Sequence, residues 1–318
     1  MRIAFVGKGG SGKTTLTALF SVFVAKEHKP LCVFDGDLNM HLPELLGFEP
    51  FPITKHLSRP EPSRIIKTYL KGSNQINDLN AFRKTTPPTK RSKLISIGKL
   101  NETPLADFMK TKNSLNLFVV GTYEEDEIGA SCYHNNLAIL ENILSHMIDK
   151  GGYIVSDMVA GVDAFANTLH SQFDIICLIV EPTKRSIDVF EKYHTLAKGA
   201  GVHDNLIVIG NKIRSKDDEN FIRAHIPEDK IAGFFLEDKY LRKTDQTGEP
   251  LDVNCIDKKN IKLLESLLSI LRGRPHSPDK RLKKLWQLHK KYVAQKSITE
   301  RFGDLTSQID TSFRFDHD

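Results

Sequence analysis

The octapeptide Gly7-Lys8-Gly9-Gly10-Ser11-Gly12-Lys13-Thr14 has the residue types and spacing to hold phosphate. It satisfies the pattern G-x-x-x-x-G-K-[ST] in full. Its glycines let backbone amides turn toward an anion without side-chain clashes. Those amides, with the positive end of a helix that follows, form an anion nest. The Lys13 ammonium can then reach β- and γ-phosphates, and the Thr14 hydroxyl suits Mg²⁺. Gly9, Gly10, Ser11, Gly12, Lys13, Thr14 and Thr15 are therefore the candidate nucleotide-binding residues.

Such a loop works only between a strand and a helix, and the chain supplies both. Short apolar, β-branched runs ending in Gly, Asp or Pro predict strands over residues 3–6, 31–34, 115–120, 153–155, 175–180 and 206–209. Runs this apolar suit strands covered on both faces. Helical patterns fall at 13–26, 136–150, 164–171 and 186–201, with a later one at 259–271. Strands alternating with helices predict an α/β fold with a doubly wound, mostly parallel sheet flanked by helices.

Two segments break the rhythm of what reads as one domain over 1–273. Residues 51–113 hold many prolines and basic residues, including Pro87-Pro88-Thr89-Lys90-Arg91. They are too long for an ordinary connection and read as an insertion, either packed at the sheet edge or acting as a lid or partner-binding element. The second runs over 274–318, a basic amphipathic helix and polar tail that opens with Pro275-His276-Ser277-Pro278. There Leu282, Leu285, Trp286, His289 and Val293 share one helical face among lysines. Such a basic amphipathic helix either packs on its own domain or meets a partner groove or an anionic membrane.

Composition bounds the class. At 40% hydrophobic and 27% charged residues with a net charge of +5, the 318-residue chain can bury a large core and carries no overall call for nucleic acid. Cys32, Cys132, Cys177 and Cys255 are scattered and do not suggest a disulfide framework. Neither a leader peptide nor a membrane-spanning run is expected, which points to the cytoplasm.

Lys8 narrows the reading. Lys-Gly-Gly-x-Gly-Lys-Thr resembles the deviant Walker A motif of the MinD/ParA/ArsA group of P-loop ATPases. The likeness runs over roughly residues 1–270. In that group the extra lysine reaches the nucleotide of the other subunit. The resemblance thus implies an ATP-dependent homodimer with Lys8 stabilising charge on the transferred phosphate, as an arginine finger does. Phe34-Asp35-Gly36-Asp37-Leu38-Asn39 resembles the group's first switch, whose carboxylates would hold the Mg²⁺ water shell or orient the attacking water, with Asp37 the candidate for the latter. Ile154-Val155-Ser156-Asp157-Met158-Val159-Ala160-Gly161 resembles the Walker B strand and second switch. Asp157 would hold Mg²⁺ through a water, and the Gly161 amide would sense the γ-phosphate. Glu181-Pro182-Thr183-Lys184-Arg185-Ser186 resembles the turn after the fifth strand. Gly210-Asn211-Lys212 resembles the base-reading pair, since an Asn side chain matches the donor and acceptor of adenine.

The motif order is most similar to the CooC-like accessory ATPases that insert nickel into carbon monoxide dehydrogenase. Two departures stand out. Val159 replaces a typically acidic residue, and Cys132-Tyr133-His134 stands where that branch has Cys-x-Cys. Cys132 and His134 are competent ligands for a transition metal shared across a dimer, four ligands in all. Equally, His134 can cap a helix start and Cys132 can be packed. Three functions follow: an ATPase switch serving metallocentre assembly or an unidentified protein client, a positioning ATPase acting on DNA or membrane, and a non-catalytic nucleotide-dependent module. The intact set of Lys13, Thr14, Asp37 and Asp157 argues against the last.

Overall fold

The computed structural model of the chain describes residues 1–122, 136–161, 165 and 168–315. Strands form at β1 (Arg2–Gly7), β2 (Leu31–Asp35), β3 (Ile95–Ser96), β4 (Lys110–Lys112) and β5 (Leu115–Val119). They continue with β6 (Met147–Ile148), β7 (Tyr153–Asp157), β8 (Ile175–Val180), β9 (Leu206–Ile213) and β10 (Ile231–Leu236). Eight of them make one sheet in the order β10-β9-β8-β1-β7-β2-β5-β4. All its pairings are parallel except that of the edge strand β4 with β5. β3 and β6 pair separately, Ile95 opposite Met147.

Alternation along the strands builds a core on each face. On β1, Ile3 and Phe5 join Leu16, Leu19 and Phe20 of α1 (Lys13–Ala25) and Leu264, Leu267 and Leu271 of α8 (Lys258–Gly273). Ala4 and Val6 face the opposite layer, with Leu140 and Ile143 of α4 (Leu137–Ser145) and Ile187 and Phe190 of α5 (Lys184–Gly199). Each Leu or Phe fully buried in these layers contributes roughly 1.5–3 kcal/mol.

The expected strands are present, and the structure adds β4 and β10 to their sheet and the separate pair β3 and β6. A further helix, α7 (Lys239–Thr247), follows β10. The helix expected over 136–150 is shorter. It stops at Ser145, where His146 leaves helical geometry with ψ near 9°, and β6 follows. Of the helix expected over 164–171, the described part is a 3₁₀ turn at Leu169–Gln172.

The two segments that broke the sequence rhythm pack on each other. α3 (Pro60–Lys71) places Ile66 and Leu70 in the core layer that contains α4. α9 (Pro278–Val293) turns Leu282, Leu285, His289 and Val293 inward while most of its lysines stay exposed. His289 Nδ1 lies 3.0 Å from Thr85 Oγ1, and Gln308 Nε2 donates to Ala81 O at 2.9 Å. Arg281 anchors α9 to the sheet through Asp149 at 2.9 Å and Asp174 at 2.7 Å. The apolar stripe of the basic helix is thus spent on the chain's own core. Among the described residues no helix is long and apolar enough to cross a membrane.

Candidate functional site

The site gathers at the carboxyl ends of the central strands. β1 ends at Gly7, and the phosphate loop leads into α1 at Lys13. Gly12 caps that helix with φ of 91° and ψ of 18°, the left-handed region that glycine alone enters freely. A Cβ there would also run into the Asn211 amide nitrogen. No acidic residue occupies the first turn of α1, so its positive end is left for an anion.

Sheet register brings the carboxylates to this loop. β7 lies between β1 and β2, with Asp157 opposite Phe5 on one side and Asp35 on the other. Both Asp35 and Asp157 are fully buried. Thr14 Oγ1 donates to Asp157 Oδ2 at 2.7 Å, and Thr17 Oγ1 donates to its Oδ1 at 3.3 Å. Lys13 Nζ pairs with Asp37 and lies 3.8 Å from Asp157.

Burial pushes the Asp157 carboxyl up to about 6, although the Lys13 ammonium and the Thr14 hydroxyl pull the other way. Burial next to Asp157 also raises Asp35 well above the usual carboxylate range. Asp37 is held below it: the burial penalty is outweighed by the Lys13 ammonium and the Asn39 amide. Lys13 in turn is raised, because the desolvation of its ammonium is more than offset by Asp157, Asp37 and Asp35. Two adjacent buried carboxyls and a hydroxyl form an all-oxygen donor set, which suits a hard divalent cation such as Mg²⁺.

The rim holds the remaining candidates. Lys8 Nζ lies 3.4 Å from Glu181 Oε2, with its side chain 38% exposed. The Gly161 amide donates to Gly7 O at 2.9 Å, and the Tyr193 hydroxyl donates to Gly161 O at 2.5 Å. Asn211 Nδ2 donates to Ser11 O at 2.7 Å. That bond uses one amide hydrogen of Asn211, while the other hydrogen and the side-chain carbonyl take no part in it. Cys132 and His134 lie outside the described residues. Among the described residues no cluster of three or more His, Cys, Asp or Glu side chains could hold a metal ion.

Gly9, Gly10, Gly12, Lys13, Thr14, Thr15, Asp37 and Asn211 line one cleft of about 610 Å³. Its far wall comes from the end of β10 and from α7, including Phe235, Leu241 and Arg242. Reading the sequence missed that wall, although Ile231–Leu236 is an apolar run of the kind used to find the other strands. It also left Asp35 without a role of its own, because only register sets it beside Asp157. Glu181 and Lys212 both fall within sequence motifs, yet nothing in their spacing says that their side chains meet.

Residues 3–251 match the family described as the CobQ/CobB/MinD/ParA nucleotide binding domain. An uncharacterised ATP-binding protein of Methanocaldococcus jannaschii is 27% identical over 85% of this chain and 97% of its own length. The carbon monoxide dehydrogenase accessory protein CooC of Rhodospirillum rubrum is 23% identical over 81% of this chain and 90% of its own. Among solved structures, the Cyanothece McdA–ATP complex superposes with a TM-score of 0.56 at 14% identity. That match covers 86% of this chain and 97% of the other, and it establishes a shared fold.

Proposed function

Because the chain belongs to the CobQ/CobB/MinD/ParA nucleotide-binding family, we propose that it is a cytoplasmic ATPase switch that dimerises around Mg²⁺–ATP. One observation carries the reading. Lys13, Thr14, Asp35, Asp37 and Asp157 converge beneath one phosphate loop whose rim displays a second, half-exposed lysine, Lys8.

The loop amides and Lys13 bind the β- and γ-phosphates of ATP. Thr14 and Asp157 are the residues that would hold Mg²⁺, the latter through water, with the buried Asp35 carboxyl beside them. When bound, that ion supplies charge neutralisation at the transferred phosphoryl group. Asp37 orients water for attack on the γ-phosphorus and accepts its proton, giving ADP and inorganic phosphate. Asn211 reads the adenine edge, and the Gly161 amide exchanges Gly7 O for a γ-phosphate oxygen. Lys8 crosses to the partner's nucleotide, which joins the two protomers and stabilises developing charge.

Within this reading, similarity to CooC favours delivery of a metal or other cargo to a protein client. Cys132 and His134 are then the candidate transition-metal ligands at the dimer interface. Action on a membrane through the basic helix is less favoured, because its apolar face is already buried.

Light scattering with Mg²⁺–ADP and with a non-hydrolysable ATP analogue tests the switch, with bound metal assayed in the same samples. A monomer that becomes a dimer only with the analogue is expected, and Lys8→Ala should block the change while keeping monomer nucleotide binding. A monomer in both states would reduce the function to ATP binding. Metal at one per dimer, lost in Cys132→Ser, selects the cargo reading.

A further inference from the structure

Glu181 stands at the junction of three parts of the site. It follows β8 directly, and its amide donates to Ser186 Oγ at 3.0 Å, which fixes the turn into α5. One carboxylate oxygen takes Lys8 Nζ at 3.4 Å, and the other takes Lys212 Nζ at 2.6 Å. Lys212 Nζ also donates to Gly10 O at 2.7 Å, so the same cluster grips the phosphate loop. Lys212 does this from a φ of 58°, a left-handed conformation that a long side chain seldom adopts. Glu181 itself is 15% exposed, whereas Lys8 is 38% exposed and Lys212 45%. One partly sheltered carboxylate therefore serves two lysines at the rim.

We propose that Glu181 is a positioning residue: it holds Lys8 against its own protomer and sets how readily that lysine is released to the partner's nucleotide. The inference rests on the dimerisation reading and deepens it. A lysine crossing the interface must leave Glu181 and exchange a carboxylate for phosphate. Lys212 keeps the carboxylate in place after Lys8 departs, because its second bond to Gly10 O anchors it. Glu181 is thus poised to recapture Lys8 once the dimer opens. The exchange opposes dimerisation twice, once in each protomer.

A partly exposed ion pair changes an equilibrium about two- to fivefold. Two such pairs per dimer give a change of about four- to twenty-five-fold in the dimer dissociation constant. Sedimentation equilibrium with Mg²⁺ and a non-hydrolysable ATP analogue measures it for the wild type, Glu181→Gln, Glu181→Asp, Lys8→Ala and the double variant Lys8→Ala/Glu181→Gln. Glu181→Gln should tighten the dimer by that factor, and Glu181→Asp, which keeps the charge, should return it toward the wild type. The double variant should recover no dimer relative to Lys8→Ala. Monomer affinity for a fluorescent ADP should stay within about twofold, a readout that a merely structural loss at the loop would move. If Glu181→Gln leaves the dimer unchanged or weaker while Lys8→Ala abolishes it, the positioning role is wrong and the dimerisation reading stands. Equal tightening in both backgrounds would also overturn it, since Glu181 would then not act through Lys8. A Lys8→Ala protein that dimerises like the wild type defeats the underlying reading itself.

Discussion

The Lys13 ammonium and the Asp37 carboxylate form an ion pair inside the phosphate site, each side chain 8% exposed. Phosphate must compete with this carboxylate for the lysine. Asp37→Asn should therefore keep nucleotide affinity or improve it, while ATP turnover falls by about a hundredfold or more through loss of the proton acceptor. Nucleotide titration and phosphate-release kinetics on one preparation check both halves. Undiminished turnover would remove Asp37 from the chemistry.

Thr14 donates to Asp157 at 2.7 Å, so the hydroxyl and the carboxylate are held side by side. Thr14→Ala removes one oxygen donor and leaves Asp157 short of a hydrogen bond. The expected result is loss of Mg²⁺-dependent strengthening of ATP binding, by about tenfold or more, with metal-free binding little changed. Calorimetric titrations with Mg²⁺ and with a chelator separate the two. Equal Mg²⁺ enhancement in the variant would contradict the placement of the ion.

Gly12 combines a φ of 91° with an approach that excludes a β-carbon. Alanine there pays about 1–2 kcal/mol for the left-handed conformation alone. It also displaces the Asn211 amide from Ser11 O. Gly12→Ala should weaken ATP binding by tenfold or more and lower the thermal midpoint. Normal affinity in Gly12→Ala would show that the loop and Asn211 need not touch.

His146 gives a pH dependence with a definite sign. Burial lowers its folded pKa from 6.5 to about 4 despite the hydrogen bond to Asn142 O. As pH falls through 6.5 the unfolded chain takes up a proton that the folded chain refuses, so stability declines until about pH 4. The full loss is about 3 kcal/mol. Glu141 works in the opposite sense: burial raises it to about 7, so its contribution is lost as pH rises from 4.5. Urea denaturation of the wild type and His146→Gln at several pH values isolates the histidine by difference. The wild type should lose stability relative to the variant between pH 6.5 and 4, and parallel curves would refute the assignment.

Much of the architecture was legible along the chain because its signals are local. The phosphate loop is contiguous, and the runs over Arg2–Gly7, Tyr153–Asp157 and Ile175–Val180 are apolar enough to mark strands buried on both faces. Less legible were elements that depend on context. Lys110–Lys112 is a short polar edge strand that exists only because β5 offers an open side. Helix α4 ends at Ser145, and the ring of His146 that follows packs against Phe82, far away in sequence.

The sequence by itself determined the phosphate loop, the parallel sheet and the charged residues at its strand ends, since these follow from side-chain type and short-range period. Tertiary structure alone decided which of those groups meet. Strand register set Asp35 beside Asp157, and the packing of β8 beside β9 brought Glu181 between Lys8 and Lys212. Such pairings span up to 173 residues of chain. They are fixed by how buried faces stack, which no local spacing encodes.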